Sequence, residues 1–178
     1  MSRSRYKIFK DRHPYFMTCT IVAWLPVFCR PQAVEIVLDS WRFLQSNERL
    51  ELFAFVIMEN HLHLIASSDN LAKTIKEFKS YTARRIIDHL EATNAATLLD
   101  ELRFFKARHK TESEYQLWQE GSHPQEIHND EMMIQKIEYT HANPLRRGYI
   151  DDATHWRYSS ARNYADKPGL IDVTTQWR

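Results

Sequence analysis

An α+β fold, a ferredoxin-like antiparallel sheet with helices packed on one face, is predicted for this chain by two observations. Strand-length runs of apolar, aromatic and β-branched residues alternate with longer runs of helical period. Their order is strand, helix, strand, strand, helix, weak strand, helix. The chain also has 178 residues, of which 43% are hydrophobic and only three are Gly, which allows a packed core and excludes disorder. One domain over residues 1–178 is expected.

The elements follow from local chemistry. Tyr15–Ala23 is rich in aromatic and β-branched residues and predicts a strand. Val34, Val37, Leu38, Trp41 and Leu44 recur at helical spacing between Pro31 and Asn47, and Pro31 suits a first turn. Leu50–Met58 is almost wholly apolar, as expected of a central strand. A polar break then leads into His61–Ala66, giving a hairpin. Leu71–Leu90 predicts an amphipathic helix with Leu71, Ile75, Phe78, Thr82 and Ile86 on one face and Lys73, Lys76, Ser80 and Arg84 opposite. A fourth strand is placed within Glu114–Ile127. A last helix, from about Asn129 to Asn143, has Asn129 or Asp130 as N-cap and Asn143-Pro144 as its stop.

The net charge of +1 conceals two basic clusters. Residues 1–12 hold Arg3, Arg5, Lys7, Lys10 and Arg12, and residues 71–87 hold Lys73, Lys76, Lys79, Arg84 and Arg85, each set against a single acid. Such clusters suggest a polyanion-binding face, although one cluster alone fits a solvated surface better. Two cysteines, Cys19 and Cys29, form no disulfide framework and no metal-ligand spacing, so reduced thiols are expected. No apolar run has signal-peptide or membrane-spanning character, which predicts a cytoplasmic protein without a membrane partner.

Two groups of residues could carry chemistry. In a strand, His61 and His63 point to one face and Leu62 and Leu64 to the other, so two imidazoles could chelate one divalent ion. A bare His-x-His also fits two partly exposed strand histidines. In the last helix Tyr139 and Asn143 are four apart and share a face, with Lys136 one turn earlier. A phenol, an amide oxygen and an ammonium there suit attack on a phosphodiester, but taken alone they fit a packed tyrosine and a capping asparagine better.

The combination is more specific. Met58-Glu59-Asn60-His61-Leu62-His63-Leu64-Ile65 resembles the His-hydrophobe-His (HUH) motif of the single-strand tyrosine transposases. Phe78–Ile86 is similar to their basic helix. Leu117–Gly121, with His123 and Ile127, resembles the segment before their catalytic helix. Ile137-Glu138-Tyr139, with Asn143-Pro144-Leu145-Arg146-Arg147-Gly148-Tyr149, resembles the tyrosine motif, and Trp156–Ala161 the closing aromatic-Ser-Ser motif. All occur in the family's order between about Tyr6 and Tyr164, and the nearest branch is the REP-associated tyrosine transposases.

That resemblance implies an enzyme that binds DNA hairpins of the REP type and cuts and rejoins single strands through a 5′-phosphotyrosine link. Tyr139 would be the nucleophile. His61, His63 and Asn143 would hold Mg²⁺ or Mn²⁺. Arg3, Arg5, Lys73, Lys76, Lys79, Arg84, Arg85 and Lys136 would contact single-stranded or hairpin DNA. A monomer is expected over a dimer. Tyr81, in the basic helix, is the rival tyrosine; it is assigned to packing or phosphate contact because it does not match the nucleophile's motif. The alternative is a catalytically silent, domesticated nucleic-acid-binding module of the same fold.

Overall fold

The computed structural model describes Ile8 and residues 12–177. Arg3 and Arg5, expected to contact DNA, lie outside the described residues. Strands β1 (Tyr15–Thr20), β2 (Glu51–Ile57), β3 (His61–Ser67) and β4 (Gln125–Glu126) form one antiparallel sheet in the spatial order β2-β3-β1-β4. Helices α1 (Pro31–Ser46) and α2 (Leu71–Ala92) cover one face, with α3 (Ala96–Phe104) packed beside α2. Helix α4 (Asp130–His141) lies across the other face. It is followed by the short helices α5 (Asn143–Arg146) and α6 (Ala161–Tyr164).

Two cores result, one on each side of the sheet. Met17, Cys19, Leu62 and Leu64 point into the larger core, where they meet Trp41 of α1 and the α2 stripe of Leu71, Ile75, Phe78 and Ile86. Phe16, Phe53, Ala54 and Ile65 point the other way, against Met133 and Ile137 of α4. Helices on one face therefore describes α1 and α2 only. The shift of register between Leu52 and Ala54 is a β-bulge, which lets Phe53 and Ala54 both join the second core. Caps match local chemistry: Asn129 accepts from the Met132 amide at 2.8 Å, and Asn70 from the Lys73 amide at 3.1 Å.

Three elements depart from expectation. β1 stops at Thr20, because Ala23 and Trp24 adopt left-handed backbone angles, with φ of 51° and 58°, that no strand accommodates. The nine residues of α3 were unforeseen; so short a helix has little intrinsic stability and depends on burying Leu99 and Leu102. β2 is an edge strand rather than a central one. It reads as apolar because both its faces are covered and its outer edge is closed by the chain's C-terminal part.

That closure is a set of backbone bonds. The Ile57 amide donates to Tyr158 O at 2.8 Å, Ser160 N to Phe55 O at 3.0 Å, and Thr174 N to Leu52 O at 2.8 Å. Ser160 is fully buried, and its Oγ accepts from the Phe55 amide at 2.9 Å while lying 2.8 Å from His141 Nε2. Ser160→Ala would leave two buried polar groups without that partner. It should lower stability by about 1–3 kcal/mol, read as a lower urea midpoint at unchanged slope; an unchanged midpoint would contradict this role.

Candidate active site

His61 and His63 lie on the α4 face of β3, each oriented by a neighbour. His61 Nδ1 is 2.7 Å from Asn60 Oδ1. That oxygen only accepts, so Nδ1 carries the proton and Nε2 keeps its lone pair. His63 Nδ1 is 2.8 Å from the hydroxyl of Thr18, its direct partner on β1. The imidazoles are neighbours, with ring centroids 4.8 Å apart. Both are almost completely buried, and burial is the main cause that lowers their pKa values, to about 4 for His61 and about 3 for His63. Arg147 adds to the effect at His61, and His61 and Lys136 add to it at His63.

Helix α4 brings Tyr139 to this pair. Its ring stands edge-on to His63 at 5.4 Å and to Phe16 at 5.8 Å, and the Arg146 guanidinium lies 4.9 Å from its centre. Tyr139, Asn143, Arg146 and Arg147 line one cleft of about 300 Å³ with Thr18, Trp24, His61 and His63. The Asn143 side chain makes no hydrogen bond among the described residues, although Asn143 is buried. Arg147 donates to Glu59 Oε1 at 2.8 Å, which ties the segment after α5 to the β2–β3 turn. Gly148, with φ of +71°, ends α5 in a conformation that a side chain would strain.

A family model described as "Transposase IS200 like" matches residues 30–121, more than half of the chain. The chain belongs to the IS200-like transposases. A REP-associated tyrosine transposase of Haemophilus influenzae (strain Rd) is 26% identical over 114 residues, which are 62% of this chain and 58% of the relative. The chain thus aligns with little more than half of that relative's length. A solved structure described as a REP-associated tyrosine transposase bound to a REP hairpin superposes with a TM-score of 0.67. It covers 100% of this chain and 98% of the other at 15% identity, a likeness of fold. The family match includes β3 and α2 but ends before α4, so the placing of Tyr139 beside the histidines comes from the geometry.

Of the basic residues expected on DNA, the fold brings only Lys136, among the described residues, to the cleft's surroundings, with its ammonium 4.8 Å from the Phe16 ring centre. Lys73, Lys76, Arg84 and Arg85 are exposed on α2, in the opposite layer. Lys79 is a correction. Its ammonium donates to Gln119 O at 2.6 Å and Gly121 O at 2.7 Å, and burial lowers its pKa, so it holds a loop instead of reaching for phosphate. Tyr81 is exposed on α2 as well, beside Phe43 and the Arg49–Glu77 pair, on the far side of the sheet from the histidines. His141 packs away from the cleft, against Ser160 and the Tyr164 ring at 5.1 Å.

Sequence reasoning missed Thr18, Asn60, Trp24, Arg146 and Arg147 as parts of the site, although Asn60, Arg146 and Arg147 lie within the quoted motifs. Thr18 had no signal except its strand parity with His63, which requires the register. The donor set fits a divalent ion: two neutral imidazoles with Nδ1 already bonded, and an amide that has no hydrogen-bond partner among the described residues. Among the described residues no group of three His, Cys, Asp or Glu offers an alternative. No helix of the described residues is long and apolar enough to cross a membrane.

Burial also sets a pH dependence. His61, His63 and His141 have folded pKa values lowered to about 4, 3 and 4 from 6.5. As pH falls below 6.5 the unfolded chain gains protons that the folded chain refuses, so stability falls. In EDTA the urea midpoint should decline between about pH 7 and 5, above the carboxylate range. His141→Gln should make the decline shallower. A midpoint independent of pH would contradict these burials.

Proposed function

We propose that this chain cuts and rejoins single-stranded DNA beside a hairpin of the REP type, through a covalent 5′-phosphotyrosine intermediate on Tyr139. The observation that carries the reading is the edge contact of Tyr139 with His63 inside a cleft also lined by Asn143 and two arginines. The reading is further supported by the family membership and by the hairpin bound in the similar solved structure.

The scissile phosphate would enter the cleft between β3 and α4. His61, His63 and Asn143 would hold Mg²⁺ or Mn²⁺, which when bound supplies Lewis-acid polarisation of a phosphate oxygen. Arg146 and Arg147 would neutralise the non-bridging oxygens, with Lys136 adding positive potential. The Tyr139 oxygen attacks phosphorus and loses its proton, while the bond to the 3′ oxygen breaks and that oxygen is protonated. One phosphodiester replaces another, so a 3′-hydroxyl can reverse the step and join strands. Lys73, Lys76, Arg84 and Arg85, in the opposite layer, would hold DNA remote from the scissile phosphate. Tyr139 meets the histidines of its own chain, so a monomer is sufficient.

A labelled hairpin oligonucleotide with a single-stranded flank, incubated with Mn²⁺, should give a covalent protein–DNA band under denaturing conditions. Tyr139→Phe should reduce that band below detection while leaving DNA binding and thermal stability near wild type, since one oxygen is lost with little change in packing. EDTA and His63→Ala should also remove it. A band that persists in Tyr139→Phe would overturn the assignment, and binding with no band in the wild type would favour a silent DNA-binding module.

A further inference from the structure

Trp24 is an element of the cleft that this chemistry does not use. It is 53% exposed, an unusual state for the largest apolar side chain, yet its ring stands edge-on to His61 at 5.8 Å and lines the cleft. Its backbone is strained: Ala23 and Trp24 are successive residues with φ of 51° and 58°. Residues with a Cβ rarely adopt this region, and strain of this kind persists only where the surroundings impose it. Here they do. Ile21 N donates to Asn60 O at 2.9 Å, Val22 N to Leu117 O at 2.8 Å, and Trp24 N to Ile21 O at 3.0 Å. Ile21 and Val22 are buried on either side of this closure. The strained turn thus displays an indole in solvent at the rim of the His61–His63 site.

The surroundings indicate what that indole would meet. Arg146 and Arg147, the latter paired with Glu59, bring guanidinium groups to the cleft, and the indole presents an apolar ring beside them. Phosphate-binding cations edged by an exposed aromatic ring are the combination that holds unpaired nucleotides, by charge on the backbone and stacking on the base. We propose that Trp24 is the stacking platform for the base of a nucleotide adjoining the phosphate in the cleft. The proposal rests on the reading of the cleft as a DNA-cutting site. It gives the cleft a preference for single strands, because a paired base has no free face to offer the indole.

The test uses the full chain in EDTA, so that no cleavage intervenes, and a fluorescent dT oligonucleotide followed by anisotropy. Trp24→Ala should weaken binding about 5- to 150-fold, the range for loss of one base–aromatic stack, whereas Trp24→Phe should recover most of it. Trp24→Gly should bind as poorly as the alanine variant yet melt at or above the wild-type temperature, because glycine relieves the strain; a merely structural tryptophan would lower it. Placing one abasic site at successive positions should find a position whose loss weakens the wild type but not Trp24→Ala. Wild-type binding that Trp24→Ala leaves within twofold would overturn the stacking role alone. No binding of the oligonucleotide by the wild type would overturn the DNA reading of the cleft and this role with it.

Discussion

Strand β3 has a core on both faces, and the two-residue alternation of its side chains governs the rest of the molecule. Leu62, Leu64 and Ala66 belong to the α1–α2 core, while His61, His63 and Ile65 face α4. A slip of one residue would put two imidazoles among Trp41, Phe55 and Phe78 and two leucines into the cleft. Register is therefore held from both sides at once. Burying the two imidazoles disfavours their charged forms, and Asn60 and Thr18 offset part of the desolvation by bonding each Nδ1. The result is a pair of neutral rings held in fixed orientation before any ligand arrives.

The docking of α4 depends on the same alternation. Met133 and Ile137 pack on Phe16, Phe53, Ala54 and Ile65, and this contact places Tyr139, a half-turn beyond Ile137, over His63. The C-terminal part supports α4 from behind: Ser160 bonds both β2 and His141, and the Tyr164 hydroxyl donates to Phe53 O at 2.9 Å. Helix α4 is thus fixed by apolar contacts on one side and polar contacts at its end. The β2 edge, whose backbone groups would otherwise be open to pairing, is consumed in the process.

Much of this was legible because it depends on local period and on parity. The α2 stripe of Leu71, Ile75, Phe78, Thr82 and Ile86 is buried as its spacing predicts, and His61 and His63 share a face because alternate strand residues must. What was not legible depends on long-range pairing. Thr18 meets His63 only through the β1–β3 register, and β2 reads as central because apolarity reports burial without saying what closes the edge. Lys79 resembles its exposed neighbours in sequence. Its burial depends on a loop 40 residues away whose carbonyls it satisfies. Arg146 and Arg147 were in view in the motif, but their approach to Tyr139 and Glu59 required the turn at α5.

The claim on which this account depends most is that β3 presents both imidazoles to a single divalent ion beneath Tyr139. Pulsed electron paramagnetic resonance of Mn²⁺ bound to the protein tests it directly, since coordinated imidazole nitrogens couple to the electron spin. Two nitrogen couplings are predicted in the wild type and in Tyr139→Phe, and one each in His61→Ala and His63→Ala. A bound ion that shows no nitrogen coupling, or couplings that survive both histidine substitutions, would contradict it.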